Sequence, residues 1–202
     1  MTQTQKKTHR LAVAAMLTAV AAVLQFVEFA IPLMPSFIKL DISDLPALLG
    51  TFSLGPVYGV AIQLAKNLLH LPFGSSAGVG ELSNFILGAV FVFVAGIIYK
   101  HNKSRKSALV GSVAGAAAMA LGSIVTNYFI VYPAYVVLYK LPLEAIVGMY
   151  EAILGGVSHV PTQNALLNCL LVFNVPFTLV KGLLDTALCF LIYKPLSPLL
   201  HR

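Results

Sequence analysis

Long apolar runs separated by short polar segments make up most of the chain. The six runs cover about residues 9–29, 43–53, 56–71, 80–100, 107–138 and 163–193. Four of them reach the roughly 20 residues that an α-helix needs to cross a bilayer. The second and third are shorter and meet at Gly55 and Pro56, and interrupted spans of this kind mark substrate cavities in transporters. We therefore predict an all-α integral membrane protein, a single domain over residues 1–202 with six transmembrane helices.

The composition supports a lipid environment. Hydrophobic residues make up 58% of the 202 positions and charged residues 10%, whereas a soluble domain has about 25% charged residues. The five histidines are scattered and no nucleophile–base pair is evident, so we expect neither an enzyme nor a metal site. Cys169 and Cys189 lie in one apolar run. We interpret them as packing residues, because their spacing fits neither a disulfide framework nor a zinc site.

Basic residues concentrate in three segments that a six-span arrangement places on one side of the membrane. Nine of the thirteen are Lys6, Lys7, Arg10, Lys100, Lys103, Arg105, Lys106, Lys194 and Arg202. Because basic loops stay in the cytoplasm, this pattern predicts that both termini are cytoplasmic. The net charge of +6 is explained by topology, and no basic face interleaved with aromatic residues indicates nucleic-acid binding.

The third run carries a polar face. Gln63, Lys66, Asn67 and His70 recur at helical spacing, so they lie on one side of the helix. In a bilayer such a stripe must face protein or water. Lys66 and His70 have an alternative interpretation as capping or snorkelling residues near helix ends, which we favour for His70. Upstream, Asp41, Ser43 and Asp44 precede Pro46, as residues at a helix start do.

The last run has a polar face of its own. Asn174, Thr178, Lys181 and Asp185 are spaced by four, three and four residues and line one helix face. Such a face predicts ligand contacts, but Lys181 and Asp185 also have the spacing of an ion pair within one helix. Asn127 in the fifth run likewise suits a ligand contact or a hydrogen bond between helices.

Two connecting segments differ from simple turns. Pro32 and Pro35 exclude a regular helix from residues 31–41, which form either a loop folded over a cavity or a plain extracellular connector. Residues 139–163 contain two glutamates and a moderately apolar pattern, which favours a long outer loop with a short helix. Pro133, near the end of the fifth run, predicts a kink.

Four stretches, taken together and in order, resemble the substrate-binding S components of energy-coupling factor (ECF) vitamin transporters. They are KLDISDLPALLGTFSLGPVYGVAIQLAKNLLHL, GELSNFILGAVFV, TNYFIVYPAY and VPFTLVKG, and the resemblance is strongest to the riboflavin-specific branch. It implies a vitamin-binding subunit of the bacterial plasma membrane that carries riboflavin as transported ligand and no catalytic cofactor. Energy would come from a separate module of one membrane coupling subunit and two ATPase subunits. This chain itself has no phosphate-binding loop motif.

The resemblance also implies site residues. An asparagine on helix five, here Asn127, and a lysine on helix six, here Lys181, contact ligand in riboflavin-type members. Three residues before that lysine such members usually have an asparagine, where this chain has Thr178. A hydroxyl makes fewer hydrogen bonds than an amide, which weakens the flavin assignment. The full set of expected vitamin-binding residues is Asn127, Lys181, Thr178, Asn174, Tyr128, Phe37, Leu40 and Asn84.

Other substrates and one other transporter class stay open. Pantothenate, pyridoxine and hydroxymethylpyrimidine carriers have similar sequences, and an autonomous secondary transporter is the alternative of a different class. Tyr128 and Phe37 suit ring stacking on a vitamin as well as anchoring in the membrane interface.

An alanine motif on the first helix is the expected docking surface for the membrane partner. In the family such a motif contacts the coupling subunit, and Ala15, Ala19 and Ala22 fit it here. Small residues at this spacing also suit contact with another helix of the same chain.

Overall fold

A computed structural model describes residues 2–32, 34–36, 38–138, 140–153 and 164–200, with side chains as far as residue 192. Its elements are α1 (Gln3–Phe26), β1 (Phe29–Ala30), β2 (Lys39–Leu40), α2 (Asp44–Leu54), α3 (Pro56–His70), a 3₁₀ turn (Leu71–Phe73), α4 (Val79–His101), α5 (Arg105–Thr126), the π segment π1 (Asn127–Val131), α6 (Tyr132–Leu138), α7 (Leu143–Ile153), α8 (Ala165–Cys169), the π segment π2 (Leu170–Asn174) and α9 (Val175–Leu200).

The architecture is helical and membrane-like, which confirms the predicted fold class at that level. Among the described residues, four helical stretches are long and apolar enough to cross a bilayer. They are Gln3–Phe26, Val79–His101, Arg105–Leu138 and Ala165–Ile192. With 11 and 15 residues, α2 and α3 are shorter than a full span. The count of six spans and the orientation of the termini therefore stay predictions.

The break between α2 and α3 is set by two residues. Gly55 has φ of 111°, a conformation that glycine adopts without a steric penalty. Pro56 follows as the first residue of α3, where its missing N–H costs no hydrogen bond. Every residue from Asp44 to Phe52 is buried, so α2 is enclosed by protein around its whole circumference.

The four polar residues of α3 share one buried face, as their spacing predicted, and each of the four side chains bonds to another element. Gln63 and Lys66 bond to residues at the start of α2. Asn67 Oδ1 accepts a hydrogen bond from Gln25 of α1 at 3.0 Å, and His70 contacts Glu81 of α4. The stripe therefore joins α3 to three neighbouring helices.

The irregularity that Pro133 predicts in the fifth apolar run is a π segment. π1 ends two residues before Pro133, and π2 ends two residues before Pro176. Proline donates no backbone hydrogen bond and clashes with the carbonyl group four residues earlier. Each helix accommodates its proline with a wider turn just upstream, a local form that recurs at functional sites.

Helix α1 and the segment that follows differ from the expected boundaries. The helix begins at Gln3 rather than near residue 9, because Thr2 and Gln5 form a capping box. It ends at Phe26, and a short antiparallel pairing of β1 with β2 follows. These strands were not predicted, because two residues are too few to show an alternation of apolar and polar positions.

The later segments follow the prediction within the described residues. α7 (Leu143–Ile153) is the short helix expected in the outer loop. The sixth apolar run begins as α8 at Ala165 and continues to Leu200, whereas its expected first residue, Gln163, lies outside the described residues. Cys169 and Cys189 are buried and unbridged, which confirms their interpretation as packing residues.

Candidate functional site

One cavity of about 490 Å³ lies among α1, α3, α4, α5, α7 and α9, within the roughly 300–1,000 Å³ typical of small-molecule sites. It is lined by Gln25, Glu28, Ser36, Ile38, Lys39, Asp41, Asp44, His70, Phe73, Gly74, Ser75, Ser76, Gly80, Glu81, Ser83, Asn84, Leu87, Met119, Asn127, Val131, Tyr132, Tyr135, Leu141, Met149, Asn174, Phe177, Thr178 and Lys181. The segment 31–41, for which the sequence predicted either a loop over a cavity or a plain connector, contributes Ser36, Ile38 and Lys39 to this lining. Their place in the lining favours the first interpretation.

The structure brings five of the eight expected vitamin-binding residues to this cavity. They are Asn84, Asn127, Asn174, Thr178 and Lys181. Leu40 and Tyr128 are not part of its lining. The ring of Tyr128 instead packs against that of Phe129 at a centroid distance of 4.9 Å. Phe37 lies outside the described residues.

Lys181 is paired across the fold. Its Nζ donates to Asp41 Oδ2 at 2.8 Å and to Asn84 Oδ1 at 3.1 Å, and it lies 3.5 Å from Asp44 Oδ2. The alternative interpretation of an ion pair with Asp185 is therefore wrong. Both carboxylate oxygens of Asp185 are buried without a hydrogen-bond partner among the described residues.

Asp41 joins the segment before α2 to this lysine. Its Oδ1 accepts from the Ser43 backbone N–H at 2.9 Å and from the Ser43 hydroxyl. Burial raises the pKa of Asp41, but the ammonium groups of Lys181 and Lys66 outweigh it and hold that pKa below its ordinary value. Asp41 therefore faces Lys181 as a carboxylate.

Lys66 is fully buried, with 0% of its surface exposed. Its Nζ donates to Asp44 Oδ1 and to Ser43 Oγ, each at 2.5 Å. Gln63 Nε2 adds a third contact to the same acid, at 2.9 Å from Asp44 Oδ1. The snorkelling interpretation is wrong for Lys66, because the helix end that carries it is covered by α2 rather than by solvent.

His70 is also buried, so snorkelling is wrong there too. Its Nδ1 lies 2.9 Å from Glu81 Oε1, and Ser76 Oγ donates to Glu81 Oε2 at 3.1 Å. The His70 ring packs on Phe26 at a centroid distance of 4.9 Å. This cluster ties the end of α1 and the segment after α3 to the start of α4.

A second buried cluster ties α7 to the cavity. The hydroxyl groups of Tyr132 and Tyr150 are 2.5 Å apart, Tyr150 donates to Asn174 Oδ1 at 2.6 Å, and Asn174 Nδ2 donates to the Tyr132 oxygen at 3.2 Å. Burial raises the pKa of Tyr150, so its phenol stays protonated and can act as a donor. Both polar atoms of the Asn174 side-chain amide therefore form hydrogen bonds within the protein.

Asn127 and Thr178 face the cavity with hydrogen-bonding capacity to spare. Both are buried and line the cavity, and neither side chain bonds to another described residue. An amide offers two donors and an acceptor oxygen, and a hydroxyl offers one donor and an acceptor oxygen. These two side chains are therefore suited to a polar ligand.

Within the described part of the lining, the basic side chains are already matched with acids. Lys181 pairs with Asp41, Lys39 pairs with Glu28, and His70 pairs with Glu81. An anionic ligand would compete with a carboxylate for one of these basic side chains. A neutral ligand with several hydrogen-bonding groups would not.

Several lining residues were missed as site residues by sequence reasoning. Asp41 and Asp44 were interpreted only as helix-start residues. The available signal was the number of acids in apolar surroundings, because a buried carboxylate requires a partner. Tyr132 and its partner Tyr150 carried no such signal in the sequence.

Helix α1 presents part of the expected docking motif outwards. Ala15 and Ala19 are exposed on the same side as Met16 and Val20. Ala22 is buried with 8% exposure, so it faces the interior of this chain.

Comparison with known proteins places the chain in a family. The family model for the substrate-specific component of ECF transporters matches residues 9–193. The chain belongs to this family. It is a transporter component rather than an enzyme.

Individual relatives cover almost the whole chain. Riboflavin transporter RibU of Staphylococcus aureus (strain TCH60) is 33% identical over 197 residues, which cover 98% of this chain and 95% of that protein. Riboflavin transporter FmnP of Bacillus subtilis (strain 168) is 30% identical, over 97% and 96% of the two chains. A solved structure, described as the S component of a bacterial ECF transporter, superposes with a TM-score of 0.73 at 34% identity and covers 97% of this chain and 99% of that one.

Proposed function

We propose that this S component binds riboflavin in the cavity described above and delivers it to an ECF module. The observation that carries the proposal is the meeting of Asn127, Thr178 and Lys181 in one cavity of about 490 Å³. Asn127 and Lys181 are the positions that the riboflavin-type resemblance marks as ligand contacts. The names of the relatives from Staphylococcus aureus and Bacillus subtilis support the same substrate.

The chemistry of the lining favours a neutral, polyhydroxylated, planar ligand. The isoalloxazine ring combines an apolar edge with hydrogen-bonding atoms, which suits apolar Leu87, Met119 and Phe177 beside polar Asn127. The ribityl hydroxyls can donate hydrogen bonds to the lining carboxylates. Pantothenate, a carboxylate, would compete with Asp41 for Lys181, which makes it the less suited alternative.

The family and the charge pattern support a proposal for the wider assembly. We propose six spans with both termini in the cytoplasm of a bacterial cell. The short helices α2 and α3 are the second and third of these spans. The partners are one membrane coupling subunit and two ATPase subunits, with Ala15 and Ala19 at the contact. In this arrangement the chain binds the vitamin but does not transport it by itself, unlike a secondary transporter.

A ligand screen with reconstitution tests this function. Purified protein in detergent is offered riboflavin, pantothenate, pyridoxine and hydroxymethylpyrimidine, and binding is followed by calorimetry and by quenching of flavin fluorescence. We expect riboflavin to bind most tightly. Tight binding of another vitamin without riboflavin binding would contradict the substrate, and ATP-independent uptake by the chain alone in liposomes would contradict the transporter class.

A further inference from the structure

Five polar groups close a ring beside the cavity. The ring passes from Lys181 Nζ to Asp41 (2.8 Å), from Asp41 to the Ser43 hydroxyl, from that hydroxyl to Lys66 Nζ (2.5 Å), from Lys66 Nζ to Asp44 (2.5 Å) and from Asp44 back to Lys181 Nζ (3.5 Å). It joins the start of α2 to α3 and α9.

Lys66 is set apart from the other charged members of this ring. Asp41, Asp44 and Lys181 line the cavity, whereas Lys66 is not part of the lining and has 0% of its surface exposed. A ligand in the cavity therefore meets the two acids and Lys181 without touching Lys66. Any influence of Lys66 on binding must pass through the two acids.

The ring balances two ammonium groups against two carboxylates. Without Lys66, Asp41 and Asp44 would share the charge of Lys181, although Lys181 now lies closer to Asp41 than to Asp44. A buried carboxylate that loses its partner carries a large desolvation penalty, so Asp44 would draw Lys181 towards itself. The bond from Lys181 to Asn84, at 3.1 Å, would then lengthen.

Ser43 transmits a second effect of the same lysine. Its hydroxyl accepts from Lys66 and donates to Asp41, so Lys66 orients the group that holds the Asp41 carboxylate. Loss of Lys66 thus disturbs both acids that surround Lys181.

We propose that Lys66 is a positioning residue for vitamin binding. It holds Asp44 directly and Asp41 through Ser43, and these two acids fix the place at which Lys181 meets the ligand. The inference rests on the proposed function, because it takes the cavity as the vitamin site.

The test compares Lys66→Met, Asp44→Asn and the double variant with wild-type protein. Methionine keeps the length of the side chain without its charge, so Lys66→Met should raise the Kd for riboflavin by about tenfold or more. The double variant restores the charge balance. We expect its Kd to fall back to within about threefold of that of Asp44→Asn, a rescue that plain loss of packing would not give.

Control variants and ligand-free measurements separate binding from folding. Thr51→Val changes another buried side chain of α2 outside the ring and should leave affinity unchanged. Thermal unfolding without ligand is measured for all variants. If Lys66→Met does not fold, the double variant is compared with Asp44→Asn, and a Kd more than about threefold higher in the double variant overturns the proposal.

Different results would overturn the positioning role of Lys66 and the assignment of riboflavin as the substrate. Wild-type protein that binds pantothenate, pyridoxine or hydroxymethylpyrimidine in place of riboflavin overturns the substrate, and the variants are then measured with that vitamin. A Lys66→Met protein with wild-type affinity for the vitamin used overturns the positioning role. So does a folded double variant that binds no better than Lys66→Met.

Discussion

The ammonium group of Lys181 on α9 lies 2.8 Å from a carboxylate oxygen of Asp41, a residue 140 positions earlier in the chain. This pair connects the segment before α2 with the last helix at the wall of the cavity. Lys181 is both the partner of Asp41 and a proposed ligand contact, so substitutions at Lys181 are expected to affect folding as well as binding.

The first prediction concerns the two polar contacts proposed for riboflavin. Lys181→Ala should weaken affinity by roughly 10-fold to 150-fold, since a hydrogen bond from a charged donor typically contributes about 1.5–3 kcal/mol. Asn127→Ala should lose somewhat less, because its amide is neutral. Titration of each variant with riboflavin, read by fluorescence quenching, measures both effects.

The two variants differ in what they do to the ligand-free protein. Lys181→Ala leaves Asp41 without its ammonium partner and should lower the unfolding temperature, whereas Asn127→Ala breaks no hydrogen bond to a described residue. Asn127→Ala is therefore the cleaner probe. Wild-type affinity in that variant would argue against the proposed contact.

Tyr150→Phe tests whether the Tyr150 hydroxyl holds α7 against the cavity. The change removes two hydrogen bonds, to Tyr132 and to Asn174, and leaves the ring in place. We expect faster vitamin release and an affinity loss of about fivefold to thirtyfold, since one neutral hydrogen bond contributes roughly 1 kcal/mol and two are removed. Stopped-flow release of riboflavin measures it.

Tyr128→Phe is the matched control for Tyr150→Phe. Tyr128 does not line the cavity, so its hydroxyl should be dispensable for vitamin release. Equal release rates in wild-type protein and Tyr150→Phe would show that α7 does not depend on this cluster.

Asp185→Asn should leave the protein at least as stable as wild type. Both oxygens of Asp185 are buried without a hydrogen-bond partner among the described residues, so an isosteric amide breaks no described hydrogen bond or ion pair. Asp41→Asn, which removes a paired carboxylate, should instead lower the unfolding temperature. A large loss of stability in Asp185→Asn, matching that of Asp41→Asn, would refute the expectation.

Cysteine labelling tests the topology. A cysteine introduced at Lys103 should not react with a membrane-impermeant reagent in intact cells, whereas one at Ser75, in the segment before α4, should react. The two native cysteines are buried and should contribute little background. Labelling of residue 103 in intact cells would contradict cytoplasmic termini.

Ala19→Trp tests the docking surface. The residue is exposed on α1, so a large side chain there should prevent co-purification with the coupling subunit and leave vitamin binding intact. Leu121→Trp, at another exposed position on α5, should still co-purify. Normal vitamin uptake by the Ala19→Trp variant would count against this contact.

Periodicity predicted the polar face of α3 correctly, because helical spacing decides which residues share a side. The same reasoning did not reveal the partners of that face. Lys66 bonds to Ser43 and Asp44 because Gly55 turns α3 back along α2, and spacing within one helix carries no information on such a crossing. The pairing of Lys181 with Asp41 rather than with Asp185 was missed for the same reason.

Local irregularities of the backbone were the second kind of feature that could not be predicted from the sequence. Pro133 and Pro176 were visible in the sequence, but the form of the distortion, a π turn just upstream, depends on how each helix packs. The short pairing of β1 with β2 left no alternating pattern. Tyr150 lies in the segment predicted to be a long outer loop with a short helix, so its contact with Asn174 was not predicted.

The π segments each hold one residue more than an α-helical turn. Deletion of a single residue from π1 or π2 would therefore let a regular helix form, with the parts before and after it in nearly the same relation as now. The side chains of that turn would change instead, because each residue of an α-helix is set about 100° from the next. Asn127 stands at the start of π1 and Asn174 at the end of π2. Such a deletion would keep each helix intact and yet change which side chains of the turn face the cavity.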